Sequence, residues 1–420
     1  MKVMQLSTDD FSGGASRAAY RLHQSFAETQ VHSTMRVLEH KTANIRVVAG
    51  QAPRTFEQKI KARLQRLWRE HRQRKWRTDN QILHSFGQVS AGIVDELNQS
   101  DADILNLHWI AKFLSVNDIG RLKKPLVWTL HDMWAFCGGE HVAPDDRDSR
   151  FRQGYLVDNR PDGEAGPDLN RETWLAKREA WAAQRFSVVT PSRWMARCVN
   201  ESVLFRDTPV HVIPNPLDTD QVWKPREQAW ARDVLGLAQH KTYVLFGSAG
   251  GMTHLKGEDL LRAAMPRVVA TLGQKVELLI FGQYRPADAT AQSWPCQVHW
   301  LGPVHDDLVM ATIYSAADLM VVPSRQDNLP NTAVEAHACG TPVAAFNIGG
   351  LPDIVEHQKT GWLAPAFDTE DLAQGMTWLL SEQRRLAALG LAARKAAAER
   401  YHPGLIATQY AALYQAVLTR

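Results

Sequence analysis

The feature that most constrains this chain is an alternation. Short apolar runs rich in β-branched residues recur between longer stretches of helical periodicity, over most of the length. That is the sequence habit of parallel sheets covered by helices. In the first half, strands are expected in KVMQL (Lys2 to Leu6), STMRVL (Ser33 to Leu38), DILNLHW (Asp103 to Trp109), PLVWTLHD (Pro125 to Asp132) and FSVVTPS (Phe186 to Ser192). In the second half they are expected in HVIPN (His211 to Asn215), YVLFGSA (Tyr243 to Ala249), VELLIFG (Val276 to Gly282), QVHWLGP (Gln297 to Pro303), DLMVVPS (Asp318 to Ser324) and PVAAFN (Pro342 to Asn347). Two series imply two sheets. Between them, VIPNPLDTD (Val212 to Asp220) holds prolines that continue neither a helix nor a central strand, so the junction is expected near Pro214. The expected domains are 1–213 and 214–395, with 396–420 forming a closing helix that packs back toward the first.

Composition narrows the classes. At 420 residues, 45% hydrophobic and 22% charged, each half has enough apolar residues for its own core. A formal net charge of +3 is too small for a global nucleic-acid-binding field, so no nucleic-acid partner is expected. Cys137, Cys198, Cys296 and Cys339 stand far apart without a C-x-x-C pair, which argues against a zinc site and a disulfide framework and fits a reducing cytoplasm. The opening MKVMQLSTDDFSGG is too briefly apolar for a secretory signal, and no run approaches a transmembrane helix.

Two stretches break the alternation. Residues 54–77 put Phe56, Ile60, Leu64, Leu67 and Trp68 on one helical face, with Arg and Lys around it. Two readings stand: a helix packed on the first domain with a solvated basic face, or a peripheral attachment to an anionic membrane with Trp68 and Trp76 at the headgroup level. The other stretch, from about Pro144 to Asn170, is rich in Asp, Arg, Gly and Pro and reads as a long loop, either a lid or a disordered insertion.

The most informative segment is PSRQDNLPNTAVEAHACGTPVAAFNIGGLPDIVEHQKTGWLAP (Pro323 to Pro365). A strand ends at Ser324, a turn follows, and a helix is expected from about Pro330 to Gly340. Its first N–H groups, at Asn331 and Thr332, and its positive end then face the space beyond the strand, where a diphosphate can bind. Glu335 stands about one turn further in, where a carboxylate can accept hydrogen bonds from a vicinal diol such as a ribose. A second element, FGSAGGMTHLKGEDLL (Phe246 to Leu261), is a strand, a glycine-bearing loop and a helix carrying Lys256. In the first half, DDFSGGASRAAYRL (Asp9 to Leu22) pairs Gly13 with Gly14 at a strand-to-helix turn, where backbone approaches a phosphate or sugar closely. It is not G-x-G-x-x-G, so a dinucleotide oxidoreductase is disfavoured. TLHDMWAFCGGEH (Thr129 to His141) and NLHW (Asn106 to Trp109) place His131 and His108 at strand ends, where open α/β sheets bind ligands.

The spacing of Asp327 and Glu335, the following ACGTPV (Ala338 to Val343) and the turn GGLPDIV (Gly349 to Val355) resemble family 4 glycosyltransferases, in particular their exopolysaccharide or colanic-acid-type branch. The resemblance runs from the first glycine loop to about Trp378. It implies a GT-B fold, two Rossmann-like domains facing across a cleft, and retaining, metal-independent transfer from a nucleoside-diphosphate sugar to a saccharide or lipid-linked saccharide. No cofactor is implied beyond that co-substrate. The resemblance also implies that Glu335 holds the ribose, that Asp327 and His131 face the sugar near its reacting carbon, and that Lys256 neutralises the diphosphate. The Gly13–Gly14 loop then faces the donor phosphates across the cleft and helps to bind the acceptor. Its strand-end position makes His108 a candidate for the acceptor side. This chain departs from the pattern with Asp at 327 in place of the commoner Glu, and without the arginine that usually precedes the lysine. Arg325 is the candidate replacement for that charge. A catalytically silent scaffold of the same fold and a nucleotide-sugar epimerase are the rival readings.

Overall fold

In the computed structural model, residues 1–52, 55–247, 253–285 and 294–419 are described, the side chains of Gln58 and Lys61 excepted. The chain forms two compact units, Met1–Asn215 with Ile406–Arg420, and Pro216–Leu405. The first contains β1 (Lys2–Asp9), α1 (Gly13–Ser25), β2 (His32–Glu39), β3 (Val47–Ala49), α2 (Phe56–Lys75), α3 (Val94–Gln99), β4 (Ile104–Leu107) and α4 (Val116–Gly120). It continues with β5 (Leu126–Thr129), α5 (Arg150–Gln153), α6 (Leu169–Ala180), β6 (Phe186–Thr190), α7 (Arg193–Glu201) and β7 (Val210–Val212). The second contains α8 (Gln228–Val234), β8 (Thr242–Gly247), α9 (Thr253–Lys256), α10 (Glu258–Leu272), β9 (Val276–Phe281), β10 (Val298–Gly302) and α11 (Asp307–Ala316). It goes on through β11 (Leu319–Val322), α12 (Asn331–Ala338), β12 (Val343–Phe346), α13 (Leu351–Ile354), β13 (Gly361–Ala364), α14 (Thr369–Leu380) and α15 (Gln383–Tyr401). The closing α16 (Pro403–Leu418) belongs to the first unit from Ile406 onward.

Both sheets are parallel and doubly wound. The first has the order β3-β2-β1-β4-β5-β6-β7, the second β10-β9-β8-β11-β12-β13. The central strands β4, β5, β9, β11 and β12 are buried along their whole length, as parallel strands covered on both faces must be. In each sheet the order reverses beside the first strand of its unit, between β1 and β4 and between β8 and β11. The carboxyl ends at such a reversal are where open α/β sheets place ligands.

Several expectations need correction. HVIPN does not open the second series; Val210–Val212 pairs with β6 as the edge of the first sheet, with Val188 opposite Val210, and the prolines act only after it. Strands β3 and β13 escaped the reading because one is three residues long and the other begins at a glycine inside a turn-like stretch. The 144–170 stretch is not a structureless loop. It holds α5 and the start of α6, and its charges pair with one another: Arg150 with Asp168 at 2.7 Å, Arg152 with Asp145 at 2.6 Å, while Trp194 Nε1 donates to Asp145. Its composition reads as loop because those ion pairs form only after folding. Beneath it, Lys177 is fully buried on α6 and donates to the carbonyls of Trp134, Cys137 and Gly138. Those three acceptors call for an ammonium, although burial drags its pKa down to about 7. The last residues of YVLFGSA and the glycines of the second loop, Gly250 and Gly251, lie outside the described residues.

Candidate functional site

In the second unit Lys256, Arg325 and Asp327 meet beyond the switch point between β8 and β11. Gly257, at φ +73°, starts α10 in a conformation open to glycine, and a Cβ there would collide with the carbonyl of Pro323. That contact brings Lys256, the last residue of α9, over the end of β11. Lys256 Nζ donates to Asp327 Oδ2 at 2.6 Å, and Ser324 Oγ stands 3.4 Å from the same oxygen. The Gly349–Gly350 turn supports Asp327 from the other side: Gly350 N donates to the Asp327 carbonyl at 3.0 Å, and any side chain at Gly349 would meet that carbonyl. The glycine pair therefore acts by allowing close approach of two backbones.

Helix α12 follows Pro330, and its ladder starts with Ala333 N and Val334 N donating to Pro330 O. The N–H groups of Asn331 and Thr332 stand ahead of that ladder, at the positive end of the helix. Glu335 is buried at 6% exposure and accepts from Tyr314 Oη at 3.1 Å. Tyr314 on α11 is itself fully buried, packed on Trp223 and Phe281. No feature of the sequence around Tyr314 singles it out, since it sits in an apolar helical stretch and declares its role only through the fold.

Arg325 is brought to this group but is committed elsewhere. Its guanidinium makes two hydrogen bonds to the Asp259 carboxylate at 2.7 and 2.6 Å and a third to His254 O at 2.7 Å. The hydrogen bond from Arg325 holds Asp259 below its ordinary pKa. Together with Arg325 N donating to Leu255 O at 2.8 Å, these bonds lace α9 to the end of β11. In this arrangement Arg325 positions the turn that carries Lys256.

In the first unit, Gly13 and Gly14 open α1 beyond β1, Gly13 at φ +78°. Asp9 Oδ1 accepts from the N–H groups of Phe11 and Ser12, which shapes the approach to the glycines. Burial pushes the Asp10 carboxyl up, but hydrogen bonds from Thr42 and from Lys41 N outweigh it and leave the group below its ordinary pKa.

His108 and His131, at the ends of β4 and β5, meet side by side with His108 Nδ1 3.0 Å from His131 Nε2. The buried network around them assigns their protons. Asn106 Nδ2 donates to Gln5 Oε1 at 2.9 Å and to Tyr414 Oη at 2.9 Å, and Thr129 Oγ1 donates to Asn106 Oδ1 at 3.1 Å. Gln5 Oε1 can only accept, so His108 Nε2, 2.9 Å away, must donate to it. His108 Nδ1 is then an acceptor, and His131 carries its proton on Nε2 and donates. This holds while both rings are neutral. Burial takes His131 down to about 4, and burial followed by the neighbouring His131 takes His108 well below its ordinary value. His131 thus acts as a fixed hydrogen-bonding group at neutral pH.

A further polar cluster went unrecognised in the sequence. Asp132 Oδ2 lies 2.6 Å from His141 Nδ1 and accepts from Trp109 Nε1 at 3.0 Å, while Asp132 Oδ1 accepts from Trp134 N at 3.0 Å. His141 Nε2 stands 2.8 Å from Ser85 Oγ. Against its burial, the neighbouring His141 keeps the Asp132 carboxyl below its ordinary pKa. The adjacency of Asp132 to His131 at a strand end was the available signal. His108, Trp109, His131, Asp132, Trp134 and His141 line one concavity in this unit.

The two doubly wound parallel sheets are those of the GT-B glycosyltransferase fold. The chain superposes on sucrose-phosphate synthase from Thermosynechococcus elongatus with a TM-score of 0.67 at 17% identity, covering 100% of this chain and 99% of that one. It superposes on HepE of Anabaena in complex with UDP-glucose at a TM-score of 0.65 and 18% identity, covering 99% and 100%. In sequence, residues 27–221 match Glycosyltransferase Family 4 and residues 243–382 match Glycosyl transferases group 1, so each unit carries a domain of that kind. Among curated proteins, a D-inositol 3-phosphate glycosyltransferase of Segniliparus rotundus is 33% identical over 216 residues, 49% of this chain and 47% of that protein. The chain thus spans about half the length of that relative. The exopolysaccharide branch is not among these likenesses.

Proposed function

We propose that this chain transfers a glycosyl group from a nucleoside-diphosphate sugar to a hydroxyl of a saccharide or lipid-linked saccharide, with retention and without a metal, in exopolysaccharide or other cell-surface glycan synthesis. The observation that carries the reading is the Lys256–Asp327 ion pair beyond the end of β11, just ahead of the helix α12 that carries buried Glu335. Glu335 takes the ribose hydroxyls. The helix end and Lys256 take the charge that develops as the diphosphate leaves, and they are in place before reaction begins. Donor binding exchanges one anion for another at Lys256, releasing Asp327 toward the sugar. The bond from the anomeric carbon to the phosphate oxygen breaks, the bond to the acceptor oxygen forms on the same face, and the acceptor proton passes to the departing phosphate. Neutral His131 hydrogen-bonds the sugar.

The pairing of Lys256 with Asp327 and the commitment of Arg325 to Asp259 favour one rival, a silent scaffold of the same fold. Release of nucleoside diphosphate from UDP-, GDP- and ADP-sugars separates the two. Release, with the product anomer matching the donor by proton NMR, is expected; no release from any donor, with saccharide acceptors present, sinks the proposal.

A further inference from the structure

Helix α2 faces the wrong way for a helix that helps to build a core. At roughly 100° per residue, Phe56, Ile60, Leu64, Leu67 and Trp68 form one stripe, and Ala62, Arg69 and Arg72, continued by Trp76 just past the helix, form another, the two adjoining where the Arg72 guanidinium lies over the Trp68 ring at 4.9 Å. The second stripe holds the helix to the unit. Arg69 donates to Gln88 O at 2.9 Å, Arg72 makes two 2.6 Å hydrogen bonds to Glu172, and Trp76 packs edge-on against His84 and Phe86. The apolar stripe is left in water, with Phe56 78%, Leu64 62% and Trp68 57% exposed. Neither sequence reading is right in full: the helix does not pack by its apolar face, and Trp76 is not part of the outward surface.

The charges decide what can cover that stripe. The helix carries eight Lys and Arg against Glu57 and Glu70. Lys59, Arg63, Arg66, Arg74 and Lys75 are exposed along it. A second copy of this chain would bring two strongly cationic helices together. A nucleic acid would engage the cations and leave Phe56, Leu64 and Leu67 in water. A surface with anionic headgroups above an apolar layer matches both features. We propose that the outward face of α2 docks on an anionic lipid bilayer, with Phe56, Ile60, Leu64, Leu67 and Trp68 entering the headgroup boundary. Arg69 and Arg72 are not lipid ligands in this arrangement; they tie the docked helix to the unit.

The test is flotation of the full chain with phosphatidylcholine vesicles, with and without about 30 mol% phosphatidylglycerol. Binding to the anionic vesicles alone is expected, weakening at about 0.5 M salt, where charges are screened beyond a few ångströms. Leu64→Ser with Leu67→Ser should lower the bound fraction about ten-fold, and so should Arg63→Gln, Arg66→Gln and Arg74→Gln together. All five positions are exposed, so circular dichroism and nucleoside diphosphate release should be unchanged, which separates this surface from the transfer reaction. Three results would each overturn the proposal: no binding to anionic vesicles at low salt, native binding by the serine variant, or a dimer in solution that the serine variant abolishes.

Discussion

Removing the Tyr314 hydroxyl tests how the ribose carboxylate is held. Tyr314→Phe keeps the ring that packs on Trp223 and Phe281 and deletes only the donor to Glu335 Oε2. A hydrogen bond to a charged group contributes about 1.5–3 kcal/mol, and in a site this buried water does not easily replace it. For a unit of this size that loss should lower the melting temperature by about 3–12 °C. If about half of it resides in orienting the carboxylate, affinity for the nucleotide falls about three- to ten-fold. Thermal unfolding with and without UDP, GDP or ADP, and calorimetric titration of whichever stabilises the protein, measure both. Unchanged melting and unchanged nucleotide affinity would refute the argument that Tyr314 orients Glu335. A lower melting temperature with unchanged affinity would refute the assignment of Glu335 to the nucleotide.

Three other outcomes are expected. Lys256→Met and Asp327→Asn should each slow turnover about ten- to a hundred-fold, and the double variant should lose less than the sum of both because the two side chains share one bond; strict additivity would break the link. Chelation with EDTA should leave nucleoside diphosphate release unchanged, whereas a loss restored only by magnesium or manganese would defeat the metal-independent reading. Stability should be greatest above pH 6.5 and fall as pH drops toward 4. His23 and His131 are lowered to about 4 and His337 to about 3, mainly by burial, so the unfolded chain takes up protons first and gains in that window. A flat urea midpoint between pH 7 and 5 would contradict this.

What the sequence revealed follows from which interactions are local. The α12 segment was legible because Pro330, Gly340 and the Gly349–Gly350 turn constrain nearby backbone, and the central strands were legible because burial on both faces leaves them wholly apolar. The pairing of Arg325 with Asp259 spans 66 residues and that of Gln5 with Tyr414 spans 409, and neither leaves a mark on its neighbours. The facing of α2 was ambiguous for a related reason. An apolar stripe in sequence reports a face that avoids water, and only the partners of Arg69 and Arg72 reveal which side the unit takes.

The anchorage of α16 in the first sheet sets a schedule for making this protein. Ile406, Tyr410 and Tyr414 cover Val3, Val127 and Val189, and the two tyrosine hydroxyls bond to Thr129 and Asn106 on β5 and β4. The last strand of that sheet ends at Val212, so the ribosome must add roughly 190 residues before the covering helix begins to emerge, about 10–40 s at ordinary elongation rates. Through that interval the second unit is synthesised while the first waits with an apolar sheet face uncovered. The nascent chain should therefore be most vulnerable to aggregation and most dependent on chaperones when it is half made, and a stop codon just before Ile406 should leave the first unit insoluble.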